Sequence, residues 1–440
     1  MIRRMVTNPI PQFPAGFLWG VSTSAHQIEG AAGEREPSVW DAFTTEPGRV
    51  KDGSTAAVAC DSYHRYREDV ALLAGLGVDA YRFSISWPRV NSPGGLDYYD
   101  RLVDELCGAG VRPVPTLFHW DLPASLDWLE RDTASRFAEY VSVVAERLGD
   151  RVTKWITLNE PAEHTLLGHA LGVHAPGRRL MFGALPVAHH QLLAHGLAVR
   201  ALRAAGAAGI GIANSHGPTW PASGSREDVE AAEFYDVLLN RLFSDPLLLG
   251  HYPEGVGALL PGDVEADLKV IAEPVDWYGI NYYAPVRVGA PQGTEIEFGG
   301  LKLPVELPFS VREIEGHPVT DFGWPVVPEA LTELLTGFRE RYGDRLPPIV
   351  ITENGCSYEG VDDQERIAYL DGHIRALHRA VEAGVDVRGY FVWSLLDNFE
   401  WAEGYAQRFG LVHVDFEDGS LARTPKASYA WLRDALRARR

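Results

Sequence analysis

The chain has 440 residues, 46% of them apolar and 23% charged, which is the balance of a globular protein able to bury a large core. Its formal net charge of -20 argues against nucleic acid and anionic membranes as partners, because like charges repel. Three widely spaced cysteines, Cys60, Cys107 and Cys356, suit neither a disulfide framework nor a zinc site.

Taken in chain order, short apolar runs alternate with longer amphipathic stretches. Eight runs read as strands: residues 17–21, 80–84, 112–116, 154–158, 210–213, 277–280, 349–352 and 389–393. Helical spacing fills the intervals at 63–76, 96–109, 133–148, 186–204, 229–245, 328–342 and 362–383. Gly77, Gly110 and Gly384 sit where a helix ends and the next strand begins, the place for a left-handed glycine. Strands alternating with helices mean parallel βα units. Eight of them match a single α/β (β/α)8 TIM barrel with long βα loops, with a doubly wound open sheet as the runner-up. No linker or composition shift divides the chain, so residues 1–440 are expected to form one catalytic barrel. The Gly- and Pro-rich stretch 290–320 reads as a long excursion over the barrel mouth. The first residues carry positive charge but no apolar stretch, and no run is long enough to cross a membrane. A cytoplasmic location is the expectation.

The strand ends hold the chemistry. In a barrel the carboxyl ends of the strands face one mouth, and catalysis occurs there. After strand four comes Asn159-Glu160-Pro161; after strand seven comes Glu353-Asn354-Gly355. Strands four and seven stand on roughly opposite sides, so the two carboxylates can approach each other across the mouth. Retaining glycoside hydrolysis needs two carboxyl groups about 5 Å apart. Around them, Trp120, Trp393 and Trp401 offer faces for pyranose C–H groups. Gln27, His119, Asn159 and Glu400 offer hydrogen-bonding ends for ring hydroxyls.

Five blocks make the pattern specific. They read FLWGVSTSAHQIEG at 17–30, YRFSISW at 81–87, TLNEP at 157–161, ITENG at 351–355 and GYFVWSLLDNFEWAEGY at 389–405. In this order the sequence resembles glycoside hydrolase family 1, from residue 17 to about residue 426. The resemblance implies a retaining β-glycosidase that removes terminal β-D-glucosyl residues through a covalent glycosyl-enzyme. β-Galactosidase or β-fucosidase side activity and transglycosylation would accompany it. Glu160 would be the acid/base and Glu353 the nucleophile, with Arg82 and Tyr283 holding the nucleophile ionised and oriented. Asn159 would bind the 2-hydroxyl. Gln27, His119, Glu400 and Trp401 would bind the outer hydroxyls, and Trp393 would be the stacking platform. Trp120, Asn281, Trp324 and Phe409 join the substrate-binding set. Partners would be β-glucosides and short β-linked oligosaccharides. No cofactor and no metal are expected, since His189, His190 and His195 lack ligand spacing.

Departures from the family pattern fall around the leaving-group side. Ala162 stands where many relatives carry Trp, and Trp324 is expected to supply an opposite wall. Residues 91–96 and 125–129 look short, which predicts an open entrance. Two competing readings remain. A 6-phospho-β-glycosidase would be opposed by the Glu400 carboxylate. A non-catalytic sugar-binding barrel would be expected to lack one of the two Glu residues, and both are present.

Overall fold

A computed structural model describes residues 10–292, 296–298, 301–303 and 307–439. Eight parallel strands close into a barrel: β1 (Leu18–Ser22), β2 (Ala80–Ser84), β3 (Arg112–Thr116), β4 (Trp155–Asn159), β5 (Ile210–Ser215), β6 (Trp277–Asn281), β7 (Ile349–Asn354) and β8 (Val387–Trp393). They neighbour one another in sequence order, and β1 pairs with β8, Leu18 opposite Gly389 and Ser22 opposite Trp393. The barrel reading therefore holds, and the open sheet is excluded by this closing pair. Each observed strand lies within two residues of its expected bounds at either end.

One inward residue from every strand forms a layer across the barrel: Leu18, Ala80, Val114, Ile156, Ala213, Trp277, Val350 and Phe391. Two of these are far larger than the rest, and glycines make the room. A Cβ on Gly20 would lie 2.3 Å from the Phe391 ring, and one on Gly211 would lie 2.5 Å from the Trp277 indole. The layer packs the interior, as side chains do in barrels of this size. The larger core lies outside, between the barrel and its helices.

The crossover helices include α1 (Ser62–Leu76), α2 (Gly95–Gly108), α3 (Asp132–Leu148), α4 (Leu185–Ala204), α5 (Arg226–Asp236), α6 (Val264–Ile271), α7 (Pro328–Tyr342) and α8 (Gln364–Glu382). Gly77, Gly110 and Gly384 all have positive φ, as expected of glycines that stop helices. No helix among the described residues is long and apolar enough to cross a membrane.

Three expectations need correction. The helix expected at 229–245 is not continuous. It starts earlier, where the Ser225 hydroxyl accepts from the Asp228 N–H and caps α5. A π turn, Val237–Arg241, then separates α5 from the short helix Leu242–Leu248. There the Asn240 amide donates to Asp236 and to the Gly217 carbonyl, a long-range hold that helical periodicity cannot reveal. Second, α6 was not foreseen, because its eight residues are too few for the pattern to stand out. Third, the 290–320 excursion contains strands. Val286–Gly289 pairs with Ser310–Arg312 and with Thr219–Pro221, and Ile296–Phe298 pairs with Leu301–Leu303. Residues 293–295, 299–300 and 304–306 of that excursion, like the N-terminal segment read for a leader, lie outside the described residues.

Replacing Gly20 with Ala forces a methyl into the Phe391 ring and to within 2.9 Å of the Ala80 carbonyl. We expect Gly20→Ala to lose about 1–3 kcal/mol of stability in urea unfolding. An unchanged midpoint would show that the Phe391 ring can move aside.

Candidate active site

The local backbone at the strand ends explains how Glu160 and Glu353 are aimed. Register shifts occur in β4 between Ile156 and Asn159, and in β7 between Ile351 and Glu353. Bulges of this kind turn a side chain away from the regular alternation. Glu160 itself sits at φ 45, left-handed, at the N-cap of the short helix Pro161–Glu163. Trp120 (φ 76) and Trp401 (φ 50) are left-handed as well. Such conformations cost about 1–3 kcal/mol each in non-glycine residues and cluster where a site must be held rigidly.

Arg82 organises one half of the site. Its side chain is fully buried and ion-paired with Glu353 at 2.5 Å. The guanidinium also donates to the Asn159 side chain, to the Thr116 hydroxyl at 3.2 Å and to the Thr352 carbonyl at 3.0 Å. The second Glu353 oxygen accepts from the Tyr283 hydroxyl at 2.6 Å. Burial, then the Glu353 and Glu160 charges, push the Tyr283 hydroxyl well above its usual range, so it stays a donor. Both oxygens of Glu353 are thereby fixed in direction.

Glu160 has a different environment. It accepts from the Asn281 amide at 2.8 Å and, among the described residues, meets no cation at hydrogen-bond range. Burial raises its carboxyl well above the ordinary value, and the neighbouring Glu353 and Glu163 charges add to the rise. Asn281 donates also to the Asn159 side-chain oxygen Oδ1, at 3.0 Å, and is itself oriented by the Thr352 hydroxyl, which donates to it at 2.6 Å. One hydrogen-bonded chain, Glu160–Asn281–Asn159–Arg82–Glu353, therefore joins the two carboxyl groups. One of the pair is matched with a cation and the other with a neutral amide. Such a pair can donate a proton from one side while the other attacks.

The glycosyl hydrolase family 1 model matches residues 10–440. The chain is 41% identical to β-glucosidase A of Acetivibrio thermocellus, over 97% of this chain and 98% of that protein. The bifunctional β-D-glucosidase/β-D-fucosidase of Bifidobacterium breve is 42% identical, over 96% and 97%. In structure the chain is similar to the psychrophilic β-glucosidase of Micrococcus antarcticus, with a TM-score of 0.91, 43% identity and coverage of 97% and 98%. The chain belongs to glycosyl hydrolase family 1.

The other residues expected of a family 1 site gather at the same barrel end. The Gln27 amide donates to Asn398, to the Phe399 carbonyl and to Glu400 at 2.9, 3.0 and 3.2 Å. Burial and the Glu353 charge push the half-buried Glu400 up to about 8. The Asn159 amide donates to His119 Nε2 at 3.1 Å, since its oxygen is already taken by Arg82 and Asn281. Burial and the Arg82 charge keep His119 neutral. Its proton is therefore on Nδ1, which has no hydrogen-bond partner among the described residues. His119 stacks on Trp393 and Trp401 at 5.8 and 6.0 Å between ring centres. Trp324 packs against Tyr283 and Phe409, at 5.2 and 5.9 Å, forming an aromatic wall beside Glu353. Among the described residues no three His, Cys, Asp or Glu converge as a metal site requires.

Two residues of the expected sugar-binding set also contact other residues of the site. Asn281 contacts Glu160 and Asn159 directly. The Trp120 indole N–H donates to the Asn159 backbone carbonyl at 3.0 Å, and its ring packs on Trp401 at 4.7 Å. Thr116, Thr352, Asn398 and His26, whose ring lies parallel to Trp401 at 5.8 Å, were not foreseen. Only their position at strand ends or inside the recognised blocks could have marked them.

Removing the Arg82 cation leaves Glu353 buried without its ion-pair partner. We expect Arg82→Met to lose about 3–5 kcal/mol in chemical denaturation. The double variant Arg82→Met/Glu353→Leu should regain much of that loss. A single variant as stable as the parent would remove Arg82 as the keystone of the site.

Proposed function

We propose that this chain is a retaining β-glucosidase, one catalytic unit over residues 1–440, with Glu160 as acid/base and Glu353 as nucleophile. The observation that carries this reading is the unequal pairing of two joined carboxyl groups. Glu353 is oriented by Arg82 and Tyr283, whereas Glu160 accepts from the Asn281 amide and burial raises its carboxyl well above the ordinary value. That division of labour is what double displacement demands.

In the first step Glu353 attacks the anomeric carbon while Glu160 gives its proton to the leaving oxygen. A covalent glycosyl-enzyme results, and the aglycone departs. Glu160, now ionised, takes a proton from water, which displaces Glu353 and releases the sugar with retained configuration. An alcohol in place of water gives transglycosylation. The non-reducing sugar lies on Trp393 with its outer hydroxyls toward Gln27, Glu400 and the free N–H of His119. The substrates are β-glucosides and short β-linked oligosaccharides, with β-fucosides and β-galactosides as side substrates. A 6-phosphoryl group would meet the Glu400 carboxyl, which supports unphosphorylated sugars.

Glu353→Ala should abolish hydrolysis of 4-nitrophenyl β-glucoside, and added azide should restore turnover with an inverted glycosyl azide as product. Near-normal turnover without azide would end the nucleophile assignment. Glu160→Ala should slow alkyl glucosides at least a hundredfold more than dinitrophenyl glucoside, on the order of one general-acid contribution. Equal losses on both substrates would remove Glu160 as the acid.

A further inference from the structure

The run that follows β8 carries the outer-hydroxyl contacts and has little regular structure of its own. Trp393 and Glu400 stand at its two ends, and the Gln27 amide is bonded along it to Asn398, Phe399 and Glu400. Between residues 394 and 400 the backbone forms neither helix nor ladder, only an isolated bridge from Leu396 to Val412. The place of Glu400 must therefore be set by side chains that grip this run.

Asp397 supplies that grip. Its side chain is fully buried, and Oδ1 accepts from Lys426 Nζ at 2.8 Å and from the Gly410 N–H at 2.9 Å. Oδ2 lies 3.3 Å from His413 Nδ1 and 3.9 Å from Arg408 Nη1. The Asp397 N–H donates to the Val412 carbonyl at 2.9 Å, and the two backbones run so close that no Cβ would fit on Gly410. The Lys426 side chain is as deeply buried as its partner. Lys426 stands at the N-cap of the C-terminal helix Ala427–Ala438, and its own N–H donates to the Leu411 carbonyl at 2.9 Å. The next residue of the run, Asn398, donates to the Ser394 hydroxyl and to the Leu396 carbonyl, both at 3.0 Å, and accepts from Gln27. Lys426 thus holds the run through Asp397, and Gln27 holds it through Asn398.

A buried Lys–Asp pair gains little stability over apolar side chains of the same volume, because both charges lose their water. What it adds is direction. The carboxylate meets its cation in one orientation, and a turn of Asp397 would carry Asn398 and Glu400 with it. We propose that Lys426 is a positioning residue for the sugar site: through Asp397 it fixes where Glu400 and Gln27 meet the outer hydroxymethyl group of the glycosyl unit. This rests on the β-glucosidase reading and adds to it a determinant of glycosyl specificity. Lys426 touches no reacting atom.

The test compares kcat/KM for 4-nitrophenyl β-glucoside and β-xyloside on one preparation, so the fraction of folded enzyme cancels. The xyloside lacks the hydroxymethyl group and gains nothing from that contact. Lys426→Met should lower the glucoside-to-xyloside ratio about fivefold, the contribution of one hydrogen bond. Lys426→Gln, which keeps a donor toward Asp397 but not the charge, should lower it less. Asp397→Asn, nearly the same in shape, should lower it too and carries the test if Lys426→Met does not fold. The preference for 4-nitrophenyl over methyl β-glucoside reports on proton transfer from Glu160, which bonds to Asn281 and not to this run. That preference should stay within about twofold of the parent, the limit for sites that act independently. Glucoside-to-xyloside ratios that also stay within that limit in every folded variant overturn the proposal, and so does an equal change in the leaving-group preference, the mark of general loosening. Failure of the β-glucosidase reading itself would appear elsewhere, as turnover by Glu353→Ala.

Discussion

The Arg82 guanidinium is the constraint on which the site depends. It is fully buried, and it donates to Glu353, Asn159, Thr116 and a backbone carbonyl at once. A planar fork of five N–H donors can make these contacts in a single orientation, which a lysine could not. Through Asn159 it also sets which way Asn281 and His119 must point. The acid, the nucleophile and a sugar-facing imidazole are therefore registered against one cation. A buried charge of this kind contributes little to stability on its own account. Its value lies in geometry, because misplacement of reacting groups by about 1 Å can cost a hundredfold in rate.

The barrel makes that registration possible. Arg82, Asn159, Asn281 and Glu353 come from four different strands, and no local segment could bring them together. The bulges in β4 and β7 then depart from regular pairing where Asn159 and Glu353 must point inward. The left-handed backbones of Trp120, Glu160 and Trp401 store further strain at the same rim. The stabilisation comes from elsewhere, from the packed layer inside the barrel and the helix-to-barrel core outside it.

Much of this was legible in the sequence because strands buried on both faces read as short apolar runs. The eight strands, their order and the two glutamates at strand ends followed from that pattern. The assignment of roles needed the five sequence blocks, since a lone glutamate before proline carries no chemistry. What stayed hidden depended on partners distant in the chain. The π turn after α5 is held by contacts of Asn240, and α6 is too short to show a clear period. Asn281 could be placed at the rim but not assigned to Glu160, because the strand register decides that contact. Trp120 could be seen as aromatic and near the site, yet the use of its N–H on the Asn159 backbone carbonyl required coordinates.

The side-chain layer from Leu18 to Phe391 has a consequence for traffic. It fills the barrel interior beneath the reacting groups, so nothing can pass through the barrel from one end to the other. In the double displacement proposed above, substrate and products would then share the end at which the strands carry Glu160 and Glu353. Arrival and departure would compete there, and a lingering product would be an obstruction as well as a ligand.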